Sequence, residues 1–485
     1  MRKLFFQPEG AWAGDLIPYY ENGVYYAFYL HDPRCYKDEY AENTTWHLVT
    51  TRDFRELTYC GEAIARGADD RPNKNAYTGS VVKDQNNVYH VFYTAFNGDL
   101  KRNGEAVQTV MKATGTDLYH LKTEEEWLFM ADDVKYEAFD WRDPFVFYDK
   151  EEGCYKMLLA ARKKGSGALR GGCIALCKSE DLEHWSYEEP FYEPERYVTM
   201  ECPEVFRMGD WYYLGFSTFN DRFCTHYRKS RSLNGPWEIP VDDVYDTRAN
   251  YAIKTAGNGE ERYAFGWIAS KKGNCDEGPW EWGGTMDFLK IRQEPETGDL
   301  HIVPTEGAEE YFGQTVPKEG EILYCAQLQD KRLSKKPGTE LGAVLYDVPA
   351  GDFEMELSVS HEGFQEFGIA LHVDRDLETG YYLRFFPKLN LVAWDRWPRK
   401  TQAGKYQWQI DGDVPYQIET ERYLPGTDSY HIRLQQEGSI CSVYINDRIV
   451  LSSRLYDHKI GKAGVYTTQD DVIIEDLFLR QIHAL

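Results

Sequence analysis

Gly23-Val-Tyr-Tyr-Ala-Phe-Tyr is the first of five similar stretches that end at Trp267. Each stretch carries Tyr at the same place and follows a turn rich in Gly, Asn, Asp or Glu. The others are Asn87-Val-Tyr-His-Val-Phe-Tyr, Gly153-Cys-Tyr-Lys-Met-Leu-Leu, Asp210-Trp-Tyr-Tyr-Leu-Gly-Phe and Glu261-Arg-Tyr-Ala-Phe-Gly-Trp. A second β-rich segment precedes each turn, so the sequence predicts five β-hairpins. Their first strands are expected to begin at Asp15, Ser80, Asp143, Glu201 and Tyr251.

The spacing of these hairpins predicts the fold class. Successive Tyr-bearing strands lie roughly 50 to 65 residues apart, which leaves room for about four short strands in each unit. That is the length of a propeller blade, so we expect an all-β chain that begins with a five-bladed β-propeller. The innermost strand of every blade runs beside the central channel. Asp15, Asp143 and Glu201, which open three of the hairpins, are therefore expected to converge there.

A second domain is expected after the repeats. The stretch Phe312-Gly-Gln-Thr-Val-Pro-Lys-Glu-Gly320 is polar and contains Gly and Pro, which is typical of a linker. Beyond it, segments such as Asp352-Phe-Glu-Met-Glu-Leu-Ser-Val and Val472-Ile-Ile-Glu-Asp-Leu-Phe-Leu alternate with period two. The sequence thus predicts a propeller over residues 1–312 and an antiparallel β-sandwich over residues 321–485.

Composition limits the partners of the chain. The formal net charge of −25 over 485 residues opposes binding to nucleic acid, and there is no basic patch to offset it. The first ten residues lack a secretory signal, and no apolar run is long enough to span a bilayer. We expect a cytoplasmic chain that binds a small neutral ligand and neither nucleic acid nor membrane. The ten scattered Cys indicate neither a metal site nor a disulfide framework.

Three acidic residues and an arginine suggest the chemistry. Glu201 begins a strand at the expected funnel mouth, where desolvation would raise its pKa as a proton donor requires; Glu204 is the competing candidate. Arg142 places a permanent cation beside Asp143 and favours its ionised form. Glycosidases need two carboxyl groups astride the scissile bond. A third can stabilise the developing positive charge or bind ring hydroxyls.

Several motifs resemble glycoside hydrolase family 32, the family of invertases, inulinases and levanases. They are Arg142-Asp143-Pro144, Glu201-Cys202-Pro203, Tyr77-Thr78-Gly79-Ser80 and Trp46-His-Leu-Val-Thr-Thr-Arg-Asp53-Phe. The resemblance spans nearly the whole chain, because that family joins a five-bladed propeller to a β-sandwich. It implies a retaining β-fructofuranosidase that uses no metal and no organic cofactor. Within it Asp15 is the nucleophile, Glu201 the general acid and base, and Asp143 with Arg142 binds fructosyl hydroxyls.

The chain departs from the family around the nucleophile. The family segment is typically Trp-Met-Asn-Asp-Pro-Asn-Gly, whereas this chain has Trp12-Ala-Gly-Asp15-Leu-Ile-Pro18. Leu30 stands where the family commonly has Gln. Hydroxyl recognition is therefore expected to differ from that of the family.

Aromatic and polar residues complete the expected binding site. The residues expected to contact substrate are Trp12, Trp46, Ser80, Arg142, Tyr251 and Trp280. Trp280 belongs to a Gly-rich loop with a second Trp, and the pair either forms a sugar platform or packs to close the propeller.

Two alternatives to a retaining fructosidase stay open at this point. One is an inverting propeller glycosidase of the arabinofuranosidase and xylosidase type. The other is a catalytically inactive carbohydrate-binding propeller. The sequence does not indicate an oligomeric state.

Overall fold

The protein is described here from a computed structural model. The structure describes residues 4–34, 42–102, 104–363, 366–396, 419 and 421–482. Strands dominate these residues, so the prediction of an all-β chain is confirmed. Within the described ranges, no helix is long and apolar enough to cross a membrane.

The strands of the N-terminal part are short and follow one another closely. They are β1 (Trp12–Glu21), β2 (Val24–Asp32), β3 (Thr45–Thr51), β4 (Thr58–Ile64), β5 (Asn75–Lys83), β6 (Tyr89–Arg102), β7 (Glu105–Gly115), β8 (Lys122–Phe129), β9 (Tyr136–Asp149), β10 (Cys154–Lys163), β11 (Gly172–Ser179), β12 (Ser186–Tyr187), β13 (Glu201–Met208), β14 (Trp211–Thr218), β15 (Cys224–Ser230), β16 (Asn250–Gly257), β17 (Arg262–Lys271), β18 (Trp280–Gln293) and β19 (Leu300–Pro304). A 3₁₀ turn spans Lys272–Asn274, and helix α1 spans Glu306–Glu309.

These strands form several antiparallel sheets, and most of the sheets are built from strands that follow one another in the chain. One sheet is β5-β6-β7-β8, the next is β12-β11-β10-β9, and a third is β13-β14-β15. A larger sheet has the order β16-β17-β18-β1-β2-β3-β4, with β19 added to β18. In that sheet Ala13 of β1 pairs with Gly284 of β18, so the beginning of the chain joins a segment far along the sequence.

The five predicted hairpins are confirmed. Each Tyr-bearing strand pairs antiparallel with the strand before it, in the pairs β1–β2, β5–β6, β9–β10, β13–β14 and β16–β17. The Tyr side chains of four of them, Tyr25, Tyr89, Tyr155 and Tyr263, are buried in the cores between sheets. Burial of these large rings supplies apolar area that short strands otherwise lack.

The first strand of every hairpin contains a β-bulge near its start. Two residues of that strand face one residue of its partner at positions 14–15, 77–78, 143–144, 202–203 and 252–253. In three bulges the first residue has a left-handed backbone, with φ of 57° at Asp143, 50° at Cys202 and 51° at Ala252. Such a backbone costs about 1–3 kcal/mol per non-glycine residue. A bulge also turns side chains out of the regular alternation of a strand.

The C-terminal part contains two further sheets. Its strands are β20 (Phe312–Val316), β21 (Ile322–Tyr324), β22 (Ala326–Gln329), β23 (Arg332–Lys335), β24 (Gly342–Asp347), β25 (Phe353–His361), β26 (Phe367–Val373), β27 (Tyr381–Phe386), β28 (Leu391–Asp395), β29 (Arg422–Tyr423), β30 (Ser429–Glu437), β31 (Ile440–Ile445), β32 (Ile449–Arg454), β33 (Lys462–Thr467) and β34 (Val472–Ile482), with a 3₁₀ turn at Pro387–Leu389. The sheets are β22-β23-β34-β25-β30-β31-β32, with β20 on β34, and β21-β24-β33-β26-β27-β28-β29. One apolar core takes side chains from both sheets, such as Leu357 and Leu434 from the first and Ile369 and Leu383 from the second. The two sheets therefore pack face to face.

The segment expected to be a linker is in part a strand. Phe312–Val316 forms β20 and pairs with the last strand of the chain, β34. Most of its side chains are exposed. Strand β20 has the polar composition of a loop, but its backbone is hydrogen-bonded to β34. The predicted linker is wrong for this stretch.

A buried arginine fastens the C-terminal sheets to the N-terminal part. The Arg422 guanidinium donates to the carbonyls of Val244 at 2.9 Å and Tyr245 at 3.1 Å, and to the carbonyl of Val450. It also bonds Asp242 at 3.1 Å. Because Arg422 is 2% exposed, these acceptors have little access to water that could replace it.

We predict that Arg422→Met lowers the thermal midpoint by several degrees, since orphaned carbonyls and an unpaired carboxylate cost about 3 kcal/mol. The matched control is Arg375→Met, because the Arg375 side chain is 74% exposed. Scanning calorimetry of both variants checks the prediction. Equal midpoints in the two variants would contradict it.

Candidate active site

Three carboxyl groups from different sheets line one cavity, and two of them contact the same residue, Cys202. The backbone N–H of Cys202 donates to Asp143 Oδ2 at 2.9 Å. Its thiol lies 3.6 Å from Asp15 Oδ2. Glu201 is its neighbour in the chain. The bulges of β1, β9 and β13 therefore bring Asp15, Asp143 and Glu201 to one place, as the sequence predicts.

The three acids do not occupy equivalent positions in their strands, contrary to the expectation from the sequence. Glu201 immediately precedes its bulge, Asp143 is the first residue of its bulge, and Asp15 is the second. Ser80 lies two residues beyond the bulge of β5, where Thr78 is the residue that matches Asp15. The three acids thus approach one another from three successive positions, and alignment on the acids misplaced Ser80.

Two side chains hold the Asp15 carboxylate. Trp267 Nε1 donates to Oδ1 at 2.9 Å, and the Thr78 hydroxyl donates to Oδ2. Burial raises the pKa of Asp15, while these two hydrogen bonds lower it and the nearby Glu201 raises it. Both donors favour the ionised form.

Glu201 contacts a cation and a phenol. Arg142 donates to Oε1 at 3.1 Å, and the Tyr251 hydroxyl donates to Oε2 at 2.7 Å. Burial raises the pKa of Glu201; Arg142 is the main opposing influence, Asp143 raises the pKa further, and the Tyr251 hydrogen bond lowers it. Glu204, the competing candidate, instead accepts from the backbone N–H of Thr255 at 2.9 Å.

Asp143 is held mainly by backbone groups. Besides the bond from Cys202, its own N–H donates to Thr94 Oγ1 at 2.7 Å. Burial raises the pKa of Asp143, and the charge of Arg142 opposes that shift. The closest approach of Arg142 to Asp143 is 3.9 Å, longer than its contact with Glu201. The expected ion pair between Arg142 and Asp143 is therefore weaker than the ion pair between Arg142 and Glu201.

A cavity of about 440 Å³ opens over the three acids. Its lining residues are Asp15, Leu30, Glu42, Tyr77, Thr78, Phe96, Gln108, Phe139, Asp140, Arg142, Asp143, Val198, Glu201, Phe219 and Trp282. The volume suits a small ligand. No group of His, Cys, Asp and Glu arranged to hold a metal ion occurs among the residues that the structure describes.

Trp282 forms one wall of this cavity and rests on Gly14. A Cβ atom at Gly14 would lie 2.2 Å from Cη2 of the indole. Arg34 donates to the Trp282 carbonyl at 3.0 Å and bonds Glu281 at 2.8 Å, which fixes the start of β18. Glycine thus allows the indole to lie directly beside the residue that precedes Asp15.

Several residues expected to contact substrate lie outside the cavity lining. Trp46 is fully buried, and its Nε1 donates to the Tyr77 carbonyl at 2.9 Å. Ser80 accepts from the Val146 N–H at 2.8 Å. Trp280 packs against a core cluster beneath Lys271, whose Nζ lies 4.5 Å from the ring centre.

Trp12 also lies outside the lining and stacks under the Arg34 guanidinium at 4.0 Å. Tyr251 reaches the site through Glu201, and Arg142 lines the cavity directly. The expected Gly-rich loop is wrong for its two Trp, because both belong to strand β18; Trp282 lines the cavity and Trp280 packs against the core.

Sequence reasoning missed some residues of the site. Gln108 and Asp140 both bond Arg142, and Trp267 bonds Asp15. Trp267 ends the fifth repeated stretch and pairs with Tyr251, just before the bulge of β16, so its place was readable from the hairpin. Gln108 lies on β7, outside the repeated stretches, and no motif around it indicates a site residue.

The match to a known family decides the identity of the chain. The model of the glycosyl hydrolases family 32 N-terminal domain matches residues 5–297. The chain belongs to glycosyl hydrolase family 32. The resemblance seen in the sequence, and with it the prediction of a glycoside hydrolase, is confirmed.

Family-32 relatives match over most of their length. Sucrose-6-phosphate hydrolase of Escherichia coli is 24% identical, over 93% of this chain and 88% of the relative. The levanbiose-producing levanase of Bacillus subtilis (strain 168) is 27% identical, over 90% of this chain and 82% of the relative.

Solved structures of similar proteins share the fold. Fructan 1-exohydrolase IIa from Cichorium intybus superposes with a TM-score of 0.73 at 16% identity, over 99% of this chain and 97% of that one. Sucrose-6-phosphate hydrolase from Lactobacillus gasseri superposes with a TM-score of 0.72 at 17% identity, over 100% and 93%.

We predict that Gly14→Ala lowers kcat/KM for fructoside hydrolysis by this family-32 chain by about 10²-fold, because the new methyl displaces Trp282 and shifts the site. Steady-state kinetics measure the effect. Gly167→Ala is the matched control, since a Cβ there meets nothing within 4 Å.

The double variant Gly14→Ala/Trp282→Ala separates steric displacement from other causes. If the indole is the target, Gly14→Ala adds little loss on the Trp282→Ala background. Additive losses would contradict the assigned clash.

Proposed function

We propose that this chain hydrolyses fructosides with retention of anomeric configuration and releases fructose. The observation that carries the proposal is the meeting of Asp15, Asp143 and Glu201 at Cys202 inside one cavity. Grouping three carboxyl groups around the single cation Arg142 is electrostatically costly, so their convergence in one cavity argues for a chemical role. Family membership and relatives named as sucrose-6-phosphate hydrolase and levanase support a fructosyl substrate.

We infer that the N-terminal sheets form five propeller blades over residues 1–312, followed by a sandwich over residues 321–485. The five bulged hairpins support this count. The largest N-terminal sheet then comprises two blades that are joined where β1 pairs with β18. This arrangement points the first strand of each hairpin toward a common channel.

Asp15 acts as the nucleophile in this proposal. Trp267 and Thr78 donate to its two oxygens and oppose the effect of burial on its pKa. A carboxylate that attacks the anomeric carbon must be ionised and held in a fixed orientation. Two donors, one on each oxygen, fix the orientation and favour the ionised form against burial, which is the larger influence and leaves the pKa of Asp15 raised.

Glu201 acts as the acid that protonates the leaving oxygen and then as the base that activates water. Burial and the neighbouring Asp143 raise its pKa, so it holds a proton more readily than an exposed glutamate. Tyr251 and Arg142 orient its two oxygens. Asp143 and Arg142 bind fructosyl hydroxyls and stabilise the developing positive charge through the Asp143 carboxylate.

A cytoplasmic location stays a prediction, and so does binding of a carbohydrate without nucleic acid or membrane partners. The two alternatives from the sequence, an inverting glycosidase and an inactive binding propeller, differ from this proposal in the product they yield. Hydrolysis with retention excludes both.

We predict that Asp15→Asn lowers kcat by on the order of 10⁴-fold, as loss of a catalytic carboxylate does in other hydrolases. Glu201→Gln lowers kcat for sucrose or kestose by about 10²- to 10⁴-fold. Because fluoride leaves without protonation, Glu201→Gln loses far less kcat/KM on β-fructosyl fluoride than on sucrose, while kcat stays low because the second step still lacks its base. Asp15→Asn loses kcat/KM on the fluoride and on sucrose alike. Glu151→Gln, at an exposed position, is the control.

Nuclear magnetic resonance of the first product formed in methanol tests the stereochemistry. Methyl β-fructofuranoside is expected from a β-linked donor. An α-anomer would show inversion, and full activity of either acid variant would overturn the assigned roles.

The pH dependence tests the role of Glu201. Its acid form is needed, so kcat/KM falls as the pH rises through its pKa. Since the Tyr251 hydrogen bond lowers that pKa, we predict that Tyr251→Phe moves the alkaline limb of the profile to higher pH. Tyr59→Phe, at a 54% exposed ring, is the control and leaves the limb in place. A shift to lower pH would contradict the assignment.

A further inference from the structure

We propose that the site takes fructosides with an uncharged leaving group and rejects those that carry a phosphate. This inference rests on the proposed function and names its substrate class. It matters because the relatives include both a sucrose-6-phosphate hydrolase and a levanase. Sequence similarity to these relatives therefore does not show whether this chain acts on phosphorylated or on neutral fructosides.

The charge of the cavity lining is the first argument. Five carboxyl groups line it, from Asp15, Glu42, Asp140, Asp143 and Glu201. Among the described lining residues, the matching cation is the guanidinium of Arg142. A phosphate dianion that enters such a cavity meets repulsion that a low local dielectric strengthens.

Arg142 is already engaged by the protein. It bonds Glu201 at 3.1 Å, Gln108 at 3.3 Å and Thr199 at 3.4 Å, and it also bonds Asp140. Its side chain is 11% exposed. Bidentate recognition of a phosphate by arginine requires two donors directed at the ligand. Both terminal nitrogens of Arg142 donate to protein oxygens instead, which leaves Nε for a fructosyl hydroxyl.

Two further cations close to the lining are likewise committed. Lys254 is buried, and its Nζ donates to the Gly79 carbonyl at 2.8 Å. Arg162 donates to Glu137 at 3.0 Å and to the Val198 carbonyl at 2.5 Å. Neither side chain is part of the cavity lining.

Aromatic rings cover another part of the lining. Phe96 meets Phe139 edge to face at 5.9 Å between ring centres and stacks on Tyr77 at 5.8 Å. Phe139 is 36% exposed and Phe219 is 42% exposed. Ring faces of this kind pack against the C–H surfaces of a neutral sugar and offer no donor to a phosphate.

Glu42 is the lining acid best suited to a test. The Tyr77 hydroxyl donates to its Oε2 at 2.9 Å, which holds the carboxylate next to the aromatic rings. The other four lining acids are less suitable, because Asp15, Asp143 and Glu201 are the proposed catalytic groups and Asp140 bonds Arg142. A charge change at Glu42 therefore alters the field in the cavity and leaves those contacts in place.

The experiment compares kcat/KM for sucrose, 1-kestose and sucrose 6-phosphate, which carries its phosphate on the glucosyl leaving group. We expect the phosphorylated substrate to be about 100-fold poorer at low ionic strength, and the gap to narrow at 0.5 M salt. Glu42→Lys should raise the ratio of sucrose 6-phosphate to sucrose turnover by about tenfold. Glu42→Gln should raise it by less, and Glu151→Lys should leave it unchanged.

The outcomes separate this inference from the proposed function. Equal or faster turnover of sucrose 6-phosphate would overturn the inference while supporting fructose release. An unchanged ratio in Glu42→Lys, or a gap that salt does not narrow, would also overturn it. Absence of fructose release from every substrate would overturn the proposed function instead, and calorimetric binding of sucrose and sucrose 6-phosphate to the unmodified chain would then test charge selection alone.

Discussion

The bulge repeated in the first strand of each hairpin is the constraint on which the site depends. A regular strand would use its N–H groups for the ladder, whereas the bulged strands direct some of them to a neighbouring sheet. Asp143 N–H reaches Thr94, Cys202 N–H reaches Asp143, and Ile253 N–H reaches Thr225 at 3.0 Å. The third, fourth and fifth hairpins are thus each anchored to the preceding sheet by the same backbone feature that turns the acids inward. Packing between sheets and placement of the carboxyl groups have one structural cause.

The same arrangement makes the acid cluster tolerable. Burial raises the pKa of all three acids, and each carboxylate raises that of another. Trp267, Thr78, the Cys202 N–H and Arg142 offset part of that cost by donating to ionised oxygens or by charge. The three carboxyl groups therefore hold a proton more readily than exposed carboxyl groups do. That is the condition an acid catalyst needs at neutral pH.

The sequence predicted much of the architecture and the centre of the site because periodic patterns report on strands and turns. The five hairpins and the meeting of Asp15, Asp143 and Glu201 followed from it. A bulge, however, changes register without changing composition, so Ser80 was aligned where Thr78 belongs. Likewise β20 is a polar edge strand that resembles a loop. Trp280 and Trp282 lie two residues apart in β18, and the contact with Gly14 shows which indole faces the cavity.

The pairing of β1 with β18 has a consequence for how the chain is made. Ala13 and Gly284 are neighbours in the sheet although most of the N-terminal part separates them in sequence. A chain synthesised from its N-terminus therefore holds the strand of Asp15 with one edge uncovered until β18 has left the ribosome. Loop closure over this length is slow and exposes a strand edge to other chains meanwhile. Asp15 thus lies on a strand whose second edge is paired only after β18 has been synthesised, and the cavity wall formed by Trp282 is added at the same stage.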